Sequence, residues 1–394
     1  MNFPQDFKNK KILIYGLGKT GISVKRFLNK NKIKYLVLDD KLNKNSKIFK
    51  KKFDYIILSP GIDIYNHPKI KFFEKHKKNI ITDLDISFSL NKQYKYVIGV
   101  TGTNGKSSFC MTLHKILKNN NISSKILGNF GKPVLNEKIS KNDYCILELS
   151  SYQLDYTKKI ILDCAFFLNL SPDHLERHKS LSSYKKIKLK IFSFLNKSGQ
   201  GFIQKDIDYK PVKKNKITKF SSISISLLKK LFDKNIKISK KDLSISNLHH
   251  RNEKFLKKNN FTFVNDSKST NFDSTRYAIQ KYRNIILILG GQLKKGDKFL
   301  IQDLKKRVFK IYLFGEKISE LKKSLIKQNI KFIFSKKLDQ IMKKFVINDY
   351  KMRHKVNKNV TVLFSPGAAS FDQYKNFEKR GDHFKKIVNG IFKR

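Results

Sequence analysis

Tryptophan is absent from this 394-residue chain, and cysteine, methionine and proline occur only three, four and seven times. The cysteines, Cys110, Cys145 and Cys164, stand far apart in apolar runs. That spacing excludes a disulfide framework and offers no metal-site pattern, so reduced, buried thiols are expected. With 18 glycines as well, the chain is neither fibrous nor linker-rich. Long apolar runs are also lacking. Ile160–Leu170 contains Asp163 and is too short to span a bilayer, and Met1–Lys11 is not a signal peptide, having no long apolar stretch behind a basic head. The expectation is a cytoplasmic protein without a transmembrane segment.

Acidic residues are scarce, 31 against 85 lysines and arginines, giving a formal charge of +54. The lysines run through the whole chain and form no single arm or helix stripe. Neither zinc-finger spacing nor an aromatic ribonucleoprotein signature is present. The charge is therefore read as a compositional habit, with no specific nucleic-acid partner. A positive field still gathers polyanionic small molecules such as nucleotides.

What is present is a chain with 40% hydrophobic residues, long enough for two or three domains. It opens with an apolar strand, Lys11–Tyr15, followed by Gly16, Gly18 and Gly21 in GxGxxG spacing, a helix through Val24, Phe27 and Leu28, and a strand Tyr35–Leu38 ending at Asp39 and Asp40. This is a βαβ unit with an acid after its second strand. A further strand, Tyr55–Leu58, leads into Ser59-Pro60-Gly61. Alone, the glycine pattern fits a dinucleotide, another nucleotide or no ligand.

A second start follows at Tyr96–Val100, which runs into Thr101-Gly102-Thr103-Asn104-Gly105-Lys106-Ser107 and a helix through Met111, Leu113, Ile116 and Leu117. Strand, glycine-rich loop, Lys-Ser and helix form the context of a phosphate loop, although strict spacing places glycine where this chain has Val100. The backbone of Gly102, Thr103, Asn104 and Gly105 would cradle phosphates, Lys106 would contact the β- and γ-phosphates, and Ser107 would ligate magnesium. Glu148, at the end of one strand, and His174, shortly after the strand that ends at Asn169, are further candidate metal ligands. The text from about 195 to 250 is poor in signal: Ser221–Leu228 and Lys237–Leu243 fit short strands, a helix or loops. From 250 onward, strands Phe261–Val264, Ile285–Leu289, Phe309–Phe314 and Val360–Phe364 alternate with lysine-rich helical stretches, which predicts a second open α/β sheet.

Five motifs carry a family resemblance: Thr101–Ser107 (TGTNGKS), Glu148–Gln153 (ELSSYQ), Asp173–His178 (DHLERH), Asn265–Asn271 (NDSKSTN) and Ser365–Gly381 (SPGAASFDQYKNFEKRG). Together they resemble the bacterial Mur ligases over nearly the whole length, and the last two point to the D-glutamate-adding branch. The resemblance implies an α/β, three-domain Mur ligase architecture: a Rossmann-like UDP-substrate domain (1–90), a central P-loop ATPase domain (91–249, shortened after about 195) and a Rossmann-like C-terminal domain for ATP and amino acid (250–394). It implies ATP and Mg2+ as cofactors, UDP-N-acetylmuramoyl-L-alanine and D-glutamate as substrates, an acyl-phosphate intermediate and a monomeric enzyme of peptidoglycan precursor synthesis.

Carried over by position, Lys106, Glu148, His174 and Lys188 are catalytic. Glu148 and His174 hold magnesium beside Ser107, and Lys188 joins them when carbamylated. Arg251, Asp266 and Lys268 accompany the loop 102–107 in binding ATP. Lys19, Thr20, Asp39, Asp40 and Gly61 lie where the family holds uridine, and Asn129, Ser150 and Gln153 beside the muramoyl substrate. Thr270, Lys294, Ser370, Phe371 and Phe377 form the amino-acid pocket. Within 195–250 two family stretches lack counterparts, an asparagine–aspartate pair and a glycine–histidine–asparagine motif that supplies adenine contacts. The rival expectations are a sibling ligase using another amino acid and an impaired UDP-precursor-binding protein.

Overall fold

The computed structural model describes residues 7–40, 46–90, 94–138, 140–210, 216–232, 235–243, 248–293, 299, 306–353 and 358–393. Its frame is three sheets. The first contains β1 (Ile12–Tyr15), β2 (Leu36–Leu38), β3 (Tyr55–Leu58) and β4 (Ile80–Ile81), all parallel in the order β2-β1-β3-β4. The second contains β5 (Tyr96–Thr101), β6 (Ser124–Gly128), β7 (Tyr144–Glu148), β8 (Leu162–Phe167), β9 (Leu195–Gln204) and β10 (Lys216–Phe220), again all parallel, in the order β10-β9-β8-β5-β7-β6. The third contains β11 (Glu253–Lys258), β12 (Phe261–Asn265), β13 (Ile285–Gly290), β14 (Val308–Phe314), β15 (Ile333–Ser335) and β16 (Val360–Gly367), ordered β11-β12-β16-β13-β14-β15 with only β11 antiparallel.

The composition of the strands explains this arrangement. Runs such as Ile285-Ile286-Leu287-Ile288-Leu289 are apolar without alternation and buried along their whole length, as parallel strands covered on both faces must be. In the second sheet, one layer of core joins Phe109, Leu113, Ile116 and Leu117 from the helix Lys106–Asn119 to Phe166 and Phe202. A separate core lies on the opposite face, around Leu147, Leu162, Phe167 and Ile191. All three cysteines are free and buried in these layers.

The region whose signal was poor completes the second sheet. β9 and β10 extend it past β8, and the helix Ile225–Lys229 packs Leu227 and Leu228 onto its core. Lys237–Leu243 ends in the short helix Lys240–Leu243, tied down by Asn119 Nδ2 donating to Asp242 at 2.8 Å. Leu195–Gln204, whose run Asn196–Gly201 is polar or glycine throughout, lacks the apolar pattern that makes the other strands readable.

Two compact units result: Met1–Leu170 with Arg177–Ser244, and Ser171–Glu176 with Ile245–Arg394. The first two sheets thus share one unit. They are joined by Ser23 Oγ donating to Asn136 at 2.8 Å, by Tyr156 OH donating to the Ile62 carbonyl at 3.0 Å, and by Asp85 accepting the amides of Lys158 and Lys159 at 2.7 and 2.6 Å. The strap 171–176, within the range expected for the central domain, packs with the third sheet instead. Among the described residues no helix is long and apolar enough to cross a membrane.

Candidate active site

β5 is flanked by β7 and β8, so its C-terminal end opens between two neighbouring strand exits, the usual ligand position in an open α/β sheet. The chain leaves β5 through Gly102, at φ +154°, and Gly105, at φ +80°, and enters the helix Lys106–Asn119. Both glycines therefore serve backbone conformations that L side chains resist. Asn169, at the exit of β8, clamps the loop. Its carbonyl accepts the Thr103 amide at 3.0 Å, its side-chain oxygen accepts the Asn104 amide at 2.8 Å, and its Nδ2 donates to the Asn104 carbonyl at 2.9 Å. Asn169 was not among the sequence-derived site residues; its only signal was a polar residue ending an apolar strand.

Two amines converge on this loop. Lys106 Nζ donates to the carbonyls of Gly102 and Thr103 at 2.8 and 2.7 Å. Lys188 Nζ, from the helix Leu181–Leu189, donates to the same Gly102 carbonyl at 2.8 Å and lies 4.6 Å from the centre of the Tyr184 ring. Lys188 is only 1% exposed, a rare state for lysine. Ser107 is buried behind the loop.

Glu148 ends β7 opposite Val100, in register with β5. Its Oε1 accepts from Asn129 Nδ2 at 2.7 Å, while Oε2 is buried with no hydrogen-bond partner among the described residues. A buried acceptor without a donor is costly and asks for a ligand. An orphaned carboxylate oxygen and a serine hydroxyl are hard oxygen donors that fit magnesium. The Lys188 amine does not fit, unless carbamylation replaces its positive charge with a carboxylate-like group. Among the described residues no three His, Cys, Asp or Glu side chains are grouped to hold a metal ion. Ser150 and Gln153 form a reciprocal capping box on the helix Ser151–Tyr156, Gln153 N to Ser150 Oγ at 3.2 Å and Ser150 N to Gln153 Oε1 at 3.0 Å. Their side chains thereby set the direction of that helix.

His174 belongs to the other unit, on the strap 171–176. It adopts φ +56° and lies 3.5 Å from both Asp173 and Glu176. Asp173 accepts from Asn271 Nδ2 at 3.2 Å, and Asn271 Oδ1 caps the helix Phe272–Gln280. In the same unit Asp266 is 1% exposed and fully engaged, accepting from Asn252 N at 3.0 Å, Ser269 Oγ at 2.5 Å and Ser365 Oγ at 2.7 Å. Burial pushes its carboxyl up from the ordinary aspartate range, and it organises the turn 265–271. Beside it Arg251 keeps a buried Nε without a hydrogen-bond partner among the described residues. Lys268 and Thr270 are half-buried, with Lys268 Nζ 5.6 Å from the Phe377 ring centre.

Ser370 is buried, whereas Phe371 is 72% exposed. Gln292 and Ala369 exchange backbone hydrogen bonds at 2.9 and 3.0 Å, which sets the exit of β13 beside that of β16. Lys294 lies outside the described residues. Arg380 was not singled out from sequence. It is fully buried, and its guanidinium donates to Ser267 Oγ at 3.1 Å and to the carbonyls of Ser267, Ala368 and Gly290 at 2.8, 2.9 and 3.4 Å. One cation thus ties three strand exits together. The available signal was an arginine on the apolar face of the helix Phe377–Phe392.

In the first sheet, Gly16 turns at φ +90°, and a Cβ on Gly21 would lie 1.9 Å from the Gly16 carbonyl. Asp39 accepts the Leu17 amide at 2.6 Å, and Asp40 accepts from Tyr15 OH at 2.5 Å. Lys19 and Gly61 are exposed, and Thr20 is half-buried at the start of the helix Lys19–Lys30.

A glycine loop closed by Asn169 and faced by two lysines and an orphaned carboxylate defines an α/β protein of the nucleoside-triphosphate-using class. The comparisons narrow the class. The Mur ligase middle domain matches residues 100–265. UDP-N-acetylmuramoylalanine–D-glutamate ligase of Rickettsia prowazekii is 32% identical, covering 97% of this chain and 98% of that protein. The enzymes of the same name from Protochlamydia amoebophila and Francisella tularensis are 30% and 31% identical, covering 98% and 97% of this chain, 99% and 97% of theirs. The chain belongs to the Mur ligase family, among its UDP-N-acetylmuramoylalanine–D-glutamate ligase-type members. Its fold is similar to that of MurF from Thermotoga maritima in complex with ADP (TM-score 0.57, 16% identity, 98% of this chain and 97% of that one). It is likewise similar to UDP-N-acetylmuramate–alanine ligase MurC from the same organism (0.55, 15%, 97% and 100%).

Proposed function

We infer that this protein attaches D-glutamate to UDP-N-acetylmuramoyl-L-alanine with consumption of ATP, a step of peptidoglycan precursor synthesis in cell-wall biogenesis. The observation that carries this reading is the convergence of Lys106 and Lys188 on the Gly102 carbonyl, one strand away from the orphaned oxygen of Glu148. Loop 102–107 grips the triphosphate through backbone amides, and Lys106 follows the charge that builds on the γ-phosphate as it transfers. Magnesium, when bound, would supply further positive charge to those oxygens. Glu148, Ser107, His174 and a carbamylated Lys188 are the residues that would hold it. The terminal alanine carboxylate attacks the γ-phosphate, breaking its bond to the β-phosphate, so that ADP leaves and an acyl phosphate forms. The amine of D-glutamate attacks that carbonyl, gives up a proton, and phosphate leaves as the amide forms.

Range 1–90 holds the uridine portion, range 91–249 the triphosphate loop, and range 250–394 the amino acid and part of ATP. Arg251, Asp266 and Lys268 serve ATP, directly or by shaping the turn; Thr270, Lys294, Ser370, Phe371 and Phe377 serve D-glutamate. The enzyme works in the cytoplasm as a monomer. Phosphate release should require ATP, magnesium, UDP-N-acetylmuramoyl-L-alanine and D-glutamate together, each omission abolishing it. Release that ignores the amino acid, or prefers another one, overturns the assignment. Lys294→Ala should raise the Michaelis constant for D-glutamate about 10- to 100-fold with kcat little changed, read from initial rates.

A further inference from the structure

The first two sheets share one compact unit, and the joint between them is not filled. A cavity of about 250 Å³ remains there. Ile64, Ile70, Phe73 and Ile80, from the stretch that follows β3, make its first wall. Tyr156, at the end of the helix Ser151–Tyr156, stands on the other side. Tyr65 adds a second aromatic ring, its centre 6.2 Å from that of Tyr156. An apolar cavity of about 150 Å³ already holds benzene, so this one has room for two fused rings.

The polar part of the lining has more acceptor than donor to offer. Lys158 Nζ donates to the Lys78 carbonyl at 2.7 Å, and Lys190 Nζ to the carbonyls of Asp155 and Thr157 at 3.1 and 2.7 Å. Those amines are spent on backbone. Asp155 is short of donors: Tyr65 OH reaches its Oδ1 at a long 3.3 Å, and its Oδ2 is buried with no hydrogen-bond partner among the described residues. A buried acceptor in that state costs free energy until a donor arrives. Burial pushes the Asp155 carboxyl up and the Lys158 and Lys190 amines down, as it does where water is scarce. Tyr65 covers the carboxylate but is 43% exposed and bound at its hydroxyl by that one long contact, so its ring can turn aside.

We propose that this cavity binds a neutral, planar, largely apolar molecule of two fused rings whose single N–H or O–H donates to Asp155 once Tyr65 turns aside. The apolar walls supply most of the affinity, and one polar contact fixes the orientation. An anion would meet Asp155, and a cation would meet the surplus of Lys77, Lys158 and Lys190 over Glu74 and Asp155. No lining residue belongs to the phosphate loop or to the residues assigned above to uridine, muramoyl substrate or amino acid. The helix that ends at Tyr156 is capped by Ser150, and Lys190 follows Lys188 by two residues. An occupant therefore braces the pieces that carry Ser150 and Lys188.

Indole is the probe. The chain has no tryptophan, so indole emission can be followed during titration with the full-length protein. Indole should bind with a Kd of about 1 mM or tighter, its emission shifted to the blue by the apolar walls. N-methylindole keeps the rings but lacks the N–H, and should bind about tenfold more weakly. Asp155→Leu should bring indole down to the level of N-methylindole. Tyr65→Phe, which withdraws the competing hydroxyl, should tighten indole about threefold and leave N-methylindole unchanged. Ile70→Phe, which takes up part of the space, should weaken both. Saturating UDP should leave indole affinity unaltered. Thermal unfolding at the wild-type temperature reports that each variant is folded. Absence of saturable binding, equal affinity for the two indoles, a preference unmoved by both Asp155→Leu and Tyr65→Phe, binding untouched by Ile70→Phe, or displacement of indole by UDP overturns the inference.

Discussion

The exits of β1 and β5 begin alike and end as opposites. Each strand runs into a glycine turn and then a helix, Lys19–Lys30 in one case and Lys106–Asn119 in the other. Around the first turn the chain gathers acceptors: Asp39 on the Leu17 amide, and Asp40 beside Tyr15. Around the second it gathers donors, with Lys106 and Lys188 on one carbonyl. The glycines settle the path of the backbone. The side chains set around each turn, Asp39, Asp40 and Tyr15 at one and Lys106 and Lys188 at the other, give the two exits opposite character.

Removing charge breaks this contrast most directly. Lys106→Ala should lower kcat for phosphate release by about 10³-fold, while UDP affinity, measured by calorimetry, stays within twofold (about 0.4 kcal/mol). Unchanged turnover would put the two turns on the same footing. Next, Glu148→Gln keeps the shape of the β7 exit but removes the charge behind its orphaned oxygen. The magnesium concentration for half-maximal rate should rise about 10- to 100-fold, read from a magnesium titration.

The glycines themselves sharpen the comparison through stability. Gly21→Ala drives a Cβ to 1.9 Å from the Gly16 carbonyl, a clash with backbone that cannot swing away, and should cost about 1–3 kcal/mol. Gly105→Ala meets no atom within 4 Å and carries only the strain of φ +80°, about 1–2 kcal/mol. Gly18→Ala, at φ −66° in open space, should be close to neutral in denaturant unfolding. An inverted order would mean that close helix packing does not constrain the first turn.

A pH-dependent effect concerns the joint between the first two sheets. Asp83, 1% exposed at the start of the helix Asp83–Ser89, has its carboxyl pushed up to about 7 by burial. The folded protein keeps a proton that the unfolded chain releases above 3.8, so Asp83 lowers stability progressively as pH rises from there to about 7. Asp83→Asn should flatten that slope: its stability relative to wild type should climb across the window and level off above it. A constant difference at all pH values would show that Asp83 is ionised in the folded state.

How much of this was legible follows from the same contrast. Apolar strands and glycine turns announce themselves in a single stretch of text, so β1, β5, β13 and β16 were readable, as was the loop 101–107. Groups whose meaning depends on partners distant in sequence were not. Asn169 clamps a loop 65 residues earlier, Arg380 braces Ser267 across 113, and His67 reaches Tyr15 across 52. Lysine abundance left Lys188 marked by the family resemblance alone, and its burial sets it apart from the lysines around it. The polar strands β9 and β10 were missed because their places are dictated by the sheet they extend more than by their own pattern.

The strap 171–176 has a consequence for how the polypeptide can be divided. Because this short piece of an earlier stretch packs with Ile245–Arg394, a fragment cut at that junction would leave behind the Asp173 that meets Asn271. Expressed alone, the tail would be missing a borrowed part, and mixing the two halves would have to thread it back. Heritable shuffling between relatives should therefore succeed more readily when the exchanged tail and this insert travel together.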